Sequence, residues 1–106
     1  MKFNDAKILY INTAGENLVV RLYIKGKHTE VNLIKSREHD QLNDSVRTLL
    51  SSSKITFPDL NGYAVVIGPG SWTGIRVGVT AVKAYALAHP KPITALKNDR
   101  LYGEIV

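Results

Sequence analysis

Residues 63–79 read Tyr63-Ala-Val-Val-Ile-Gly-Pro-Gly-Ser-Trp-Thr-Gly-Ile-Arg-Val-Gly-Val79. The first five residues form an unbroken apolar run between two glycines, a pattern typical of a strand covered on both faces. Gly68-Pro69-Gly70 then interrupts the strand, because proline lacks an N–H donor and glycine tolerates positive φ. The run therefore predicts a central, parallel strand that turns sharply into a helix.

The helix after this turn is predicted from its caps and its apolar spacing. Ser71 or Thr73 can cap its first turn, and the helix should stop near His89-Pro90. One stripe recurs at helical spacing and should face the core: Ile75, Val79, Val82 and Ala86.

Small residues occupy a second face of this helix, at Gly74, Gly78 and Ala81. Each glycine inside a helix costs about 1 kcal/mol relative to alanine, so two of them four residues apart indicate that something approaches the backbone closely. We interpret this face as a docking surface for another helix or a ligand. On this interpretation, Gly74→Leu or Gly78→Leu leaves the fold largely intact and abolishes pairing.

The rest of the chain completes the predicted architecture. Apolar or alternating strands are expected at 7–12, 17–24 and about 29–33, with a tight turn at Lys25-Gly26-Lys27. A helix is expected over about 38–52 with Ser36 as its cap, and a last strand over 92–96. The order β-β-β-α-β-α-β is that of a ribonuclease-H-like domain, half of the actin-like ATPase fold, and we expect residues 1–106 to form a single α/β domain.

Composition limits the classes of function. The chain has 106 residues, a net charge of +5 and no cysteine, which excludes thiolate metal sites and thiol catalysis. The net positive charge favours an anionic partner such as RNA or nucleotide. The lysines are, however, scattered over turns and element ends, and they also fit a solvated surface. We expect a soluble, cytoplasmic protein with no membrane contact, since no signal peptide or membrane-spanning run is evident.

The turn at Gly68, Gly70, Ser71 and Thr73 is a candidate phosphate site, because it aims N–H groups and a helix N-terminus at one spot. It matches no standard phosphate motif, and a simple tight turn explains it equally well. No metal-ligand spacing or catalytic set is apparent. Asn12 stands at the end of the first strand, where an acid would be needed for magnesium-assisted phosphoryl transfer.

The run Gly68-Pro-Gly-Ser-Trp-Thr-Gly-Ile-Arg-Val-Gly78 resembles the Gly-Pro-Gly-Ser-Phe-Thr-Gly-Leu-Arg-Ile-Gly signature of the TsaB (YeaZ) family. Ile11-Asn12-Thr13 is similar to that family's opening Ile-Asp-Thr with the acid amidated. Arg37-Glu-His39 is similar to its Arg-x-His, and Pro92-Ile93 to its Pro-Val. The resemblance covers essentially the whole chain.

The resemblance implies a non-catalytic subunit that binds the catalytic subunit TsaD and supports tRNA threonylcarbamoyladenosine modification. It implies a homodimer when TsaD is absent, tRNA contact only through the complex, and no required cofactor or metal, with ATP or ADP possible at the complex interface. The interface is expected on the two helices, at Trp72, Gly74, Arg76, Gly78, Ala81, Tyr85 and His39.

Two other functions compete with this hypothesis. The first is a nucleotide-dependent ATPase or phosphotransferase of the actin-like superfamily, and the second is direct tRNA binding through the basic surface. Family members usually carry a second lobe, which we expect this chain to lack, as a fragment or a naturally short member. With one lobe and Asn12 in place of an acid, ATP hydrolysis should be poor or absent.

Overall fold

A computed structural model describes residues 6–36 and 40–97. Its elements follow the order β-β-β-α-β-α-β, which confirms the predicted architecture. They are β1 Lys7–Asn12, β2 Asn17–Ile24, β3 Lys27–Ile34, α1 Gln41–Ser52, β4 Gly62–Val66, α2 Trp72–Ala88 and β5 Ile93–Leu96, with a single 3₁₀ turn at Phe57–Asp59 between α1 and β4.

The five strands form one mixed sheet in the order β3-β2-β1-β4-β5. The first three strands are antiparallel neighbours, whereas β4 runs parallel to β1 and β5 runs parallel to β4. The predicted central strand therefore lies between two parallel neighbours. We call the edge where β1, β4 and β5 end the upper edge, and the edge where they begin the lower edge.

The main core lies between one face of the sheet and the two helices. Leu9 pairs with Tyr63 and Ile11 with Val65, so these four side chains share that face. Onto it α1 packs its buried apolar residues Leu42, Val46, Leu49 and Leu50, and α2 adds Val82. Burying a side chain of this size stabilises the fold by about 1.5–3 kcal/mol, so this layer holds the helices on the sheet.

The alternate residues of the same strands, on the other face of the sheet, form a second buried cluster. It includes Tyr10, which is fully buried, with Ala64 of β4 and Leu96 of β5. The guanidinium of Arg21 lies 4.8 Å from the centre of the Tyr10 ring. Both faces of the central strands are thus buried, as their continuous apolar runs predicted.

Several predicted boundaries were wrong by a few residues. The N-cap of α1 is Asp40 and not Ser36, and the Asp40 carboxylate accepts a 3.3 Å hydrogen bond from the Asn43 N–H. Ile67 lies outside β4, which begins at Gly62. These differences arise because aspartate and serine are comparable caps and because single-sequence patterns locate element ends poorly.

Within the described residues, no helix combines the length and the hydropathy that crossing a membrane requires.

Candidate functional site

The β4–α2 turn is pressed against the end of β1. Gly70 has a φ of 152°, and a Cβ built on it would lie 2.4 Å from the Ala14 carbonyl oxygen. Ser71 donates its N–H to the same oxygen at 2.9 Å and caps α2 by accepting the Gly74 N–H at 3.1 Å. Glycine is required at position 70 by both its conformation and this contact.

Only two of the four residues of the predicted phosphate site line a common cleft. Ser71 and Thr73 line a cleft of about 470 Å³ at the upper edge, whose described lining residues include neither Gly68 nor Gly70. The Ser71 hydroxyl already accepts the cap hydrogen bond. Phosphate binding at this turn stays a prediction.

Gly74 and Gly78 do not form a free docking face, and this part of the predicted interface was wrong. A Cβ on Gly74 would lie 2.2 Å from the Thr13 carbonyl oxygen, and a Cβ on Gly78 would lie 2.7 Å from Thr13 Oγ1. Both glycines are buried. Their missing side chains admit this chain's own β1, not a neighbouring subunit.

Thr13 explains why the helix comes so close. Its buried hydroxyl donates to the Gly74 carbonyl and accepts the Gly78 N–H at 3.0 Å. These two groups are hydrogen-bond partners in a regular helix, so the hydroxyl is inserted into the backbone ladder of α2. Thr13 therefore fixes the first turns of α2 on the upper edge of the sheet.

Lys35 also takes part in this junction, although it was not predicted there. Its Nζ donates a 2.6 Å hydrogen bond to the Thr13 carbonyl and lies 2.9 Å from the position of a Gly74 Cβ. Lys35 also lines the upper-edge cleft. No spacing rule signals this role, because the contact joins positions 22 residues apart.

Asn12 has a structural role in the turn that follows β1. Its Oδ1 accepts the Ala14 N–H at 3.0 Å, the geometry of an Asx turn. Over residues 6–36 and 40–97, the acids and histidines form no group of three or more that could hold a metal ion.

A groove of about 590 Å³ runs between α1 and α2, and we call it the α1–α2 groove. Its walls combine small or apolar side chains with a few polar groups. The lining residues are Asp40, Leu42 and Asn43 of the α1 wall, and Thr73, Arg76, Val77, Thr80, Ala81, Ala84 and Tyr85 of the α2 wall. Val77 is 50% exposed, so the groove leaves apolar surface in contact with solvent.

The groove contains some of the predicted interface residues. Arg76, Ala81 and Tyr85 line it. Trp72 is 73% exposed on the first turn of α2 but is not among the groove's lining residues. His39 lies outside the described residues. The lining residues Asp40, Val77 and Ala84 were not predicted, although their exposure on the two helices would have followed from the helical period.

Tyr85 holds the two walls of the groove together. Its hydroxyl donates to the Asn43 side-chain oxygen, and its ring lies 5.0 Å from that of Phe57. Burial, with a smaller contribution from the Asp40 charge, raises the pKa of Tyr85 to about 12. The phenol thus stays protonated at neutral pH, and the spacing of the helices does not depend on its ionisation.

Comparison with known proteins connects this chain with one modification pathway. The family model described as "TsaD: tRNA N6-adenosine threonylcarbamoyltransferase" matches residues 33–98. A protein of that name from Acaryochloris marina is 39% identical over 66 residues, 61% of this chain and 18% of the relative. The tRNA threonylcarbamoyladenosine biosynthesis protein TsaB from Escherichia coli is 34% identical over 93 residues, 87% of this chain and 40% of the relative.

A solved structure extends the likeness to the fold. YeaZ from Pseudomonas aeruginosa superposes with a TM-score of 0.81 at 26% sequence identity, covering 88% of this chain and 44% of that one. The chain therefore spans less than half the length of each of these three relatives.

The mixed sheet with two helices on one face defines an actin-like, ribonuclease-H-like domain. The glycine-rich turn after β4 and the matches above narrow the class further. The chain belongs to the TsaB/YeaZ family, within the wider group that the TsaD model describes.

Proposed function

We propose that the chain is a non-catalytic partner subunit that binds a TsaD-like threonylcarbamoyltransferase and supports the formation of threonylcarbamoyladenosine in tRNA. The names of its relatives support the pathway, since they include both a TsaB protein and the transferase itself. The α1–α2 groove is the observation that supports the docking role.

The identity of the partner is supported by the region that the TsaD model matches. Residues 33–98 contain α1, β4, α2 and β5, and therefore both walls of the groove. A transferase of this family should carry an equivalent pair of helices. Two similar helix pairs can pack against each other about an approximate twofold axis, as in isologous interfaces. A second copy of this chain can use the same groove when the transferase is absent.

The side chains of the groove suit such a pairing. Ala81 and Ala84 let a helix approach closely, and Val77 offers apolar surface. Arg76 lies on the α2 wall and Asp40 on the α1 wall. A twofold axis parallel to the groove would place each α2 wall over the partner's α1 wall. The two charges of one subunit would then face the opposite charges of the other.

A catalytic role is disfavoured by the way the upper-edge side chains are used. The amide of Asn12 closes a turn, the hydroxyl of Ser71 caps α2, and the hydroxyl of Thr13 bridges two backbone groups. Use of any of these groups as a base or nucleophile would compete with its structural hydrogen bond. ATP or ADP at the complex interface stays part of the proposal, because the cleft and the groove share Asp40, Thr73 and Val77.

A reconstituted modification assay tests this function. The transferase and the remaining pathway enzymes are incubated with tRNA, ATP, threonine and bicarbonate, with and without the chain, and threonylcarbamoyladenosine is measured. We expect product to depend on the chain and to be lost with Val77→Glu, which places a charge in the groove. Leu87→Glu is the matched control, because Leu87 is 86% exposed on α2 and outside the groove. Full activity without the chain would refute the proposal.

A further inference from the structure

Lysines from separate parts of the sequence meet at the lower edge of the sheet. Lys7 begins β1 and pairs with Ile24, and Ile24 pairs with Lys27, so the two lysines lie in one row across three strands. Lys25 is in the turn between β2 and β3 and extends the same end. The fold thus brings positions 7, 25 and 27 together.

Two more lysines lie at the same end of the fold, outside the strands. Lys54 is in the loop that returns from the end of α1 to the start of β4, and Lys91 precedes β5. The loop is tied to the edge at two points: Lys91 Nζ donates to the Pro58 carbonyl at 3.3 Å, and the Asn61 N–H donates to the Lys7 carbonyl at 2.8 Å. We call these five residues, Lys7, Lys25, Lys27, Lys54 and Lys91, the lower-edge lysines.

The lower-edge lysines have little anionic compensation from the described part of the chain. Ion pairs there join Arg21 to Glu30 and Arg47 to Asp44, and none includes a lower-edge lysine. Asp59 lies nearby, but its carboxylate accepts hydrogen bonds from the Thr56 N–H and hydroxyl. These bonds, and more weakly the charges of Lys7 and Lys91, lower the pKa of Asp59.

The helices offset only part of this charge. Both α1 and α2 end near the lower edge, and each helix C-terminus carries the equivalent of roughly half a negative charge. Counting only residues 6–36 and 40–97, two half charges and the Asp59 carboxylate offset part of the charge of the five ammonium groups and leave an excess of positive charge. The resulting surface attracts polyanions.

We propose that the lower edge binds the phosphate backbone of a structured RNA, which is tRNA if the proposed function holds. Lysine is depleted at the core of protein–protein interfaces, whereas lysines that neutralise phosphates supply most of the sequence-independent affinity for nucleic acid. From β3 to β5 the edge spans four strand spacings of about 4.8 Å, roughly 19 Å. That length corresponds to several phosphates of one strand at about 3.4 Å each.

RNA binding and docking of the transferase would use different residues, because no lower-edge lysine lines the α1–α2 groove. The subunit would then contact tRNA directly while its helices hold the partner. This goes beyond the resemblance, which implied tRNA contact only through the complex.

The test measures fluorescence anisotropy of a labelled, unmodified tRNA transcript with the isolated chain between about 50 and 200 mM salt. Five phosphate contacts predict a slope of log affinity against log salt between about −3.5 and −4.5, at roughly 0.7 per contact for single strands and 0.9 for a duplex. We expect the double variant Lys25→Glu/Lys27→Glu to lose at least about tenfold in affinity and to flatten the slope by about 2. The matched control is Lys83→Glu/Lys97→Glu, which changes the same net charge on α2 and beyond the end of β5.

Three results would overturn the inference. The first is an equal loss of tRNA affinity in the control variant, and the second is no binding of tRNA by the unaltered chain at about 50 mM salt. The third is binding of polyglutamate as tight as that of tRNA, which would assign the edge to an acidic protein. Binding to the transferase is measured without RNA. A chain that binds the transferase but not RNA contradicts only this inference, whereas one that binds RNA but not the transferase contradicts only the proposed function.

Discussion

The close packing of α2 on β1 makes Gly74→Ala the most informative single substitution for the fold. The new Cβ would lie 2.2 Å from the Thr13 carbonyl oxygen and 2.9 Å from Lys35 Nζ. The carbonyl is backbone and cannot rotate aside, and overpacking costs about 1–3 kcal/mol or more. Displacing Lys35 also weakens its hydrogen bond to Thr13, at a further cost of about 1.5–3 kcal/mol at most.

The helix propensity of alanine offsets about 1 kcal/mol of this cost, so the free energy of unfolding should fall by about 1.5–5 kcal/mol. Urea denaturation followed by circular dichroism measures the change. Gly15→Ala is the matched control, because no atom lies within 4 Å of its Cβ position, and it should shift the free energy by under about 0.5 kcal/mol. If Gly74→Ala proves as stable as the unaltered chain, the account of the β1–α2 junction is wrong.

Three further predictions follow from hydrogen bonds and pKa values. Thr13→Val should destabilise the fold by about 1–3 kcal/mol in urea denaturation while Thr13→Ser should cost less, since serine keeps the hydroxyl that bonds Gly78; equal losses would contradict this role. Glu30 has a pKa lowered from 4.5, mainly by its hydrogen bond from Arg21. Acidification below about pH 4.5 should therefore remove under about 1 kcal/mol of the free energy of unfolding, and Glu30→Gln should lack this contribution at every pH. Tyr85 has a pKa raised to about 12, above its unfolded value near 10, so stability should fall between pH 10 and pH 12 and fall less in Tyr85→Phe; identical alkaline profiles would argue against its burial.

Much of the fold could be predicted from the sequence because its signals are local. The apolar run of β4, the alternation in β2 and the spacing of Leu42, Val46 and Leu49 each depend on neighbouring residues alone. The order of these elements then limited the topology to a mixed sheet with crossover helices.

The site was harder to predict because its contacts join distant positions. A small-residue face indicates only that something lies close, and the sequence could not say that the neighbour of Gly74 is Thr13, 61 residues away. The hydrogen bond from Lys35 to Thr13 and the gathering of lysines at the lower edge likewise depend on strand register. The groove itself follows from how α1 and α2 sit on the sheet, which helical periodicity does not specify.

Docking of a TsaD-like transferase in the α1–α2 groove can be measured by light scattering on a size-exclusion column. The chain and the transferase of the same organism are mixed without RNA. We expect a one-to-one complex for the unaltered chain and for Leu87→Glu, and free transferase for Val77→Glu. A complex that forms equally well with Val77→Glu, or no complex with the unaltered chain, would contradict it.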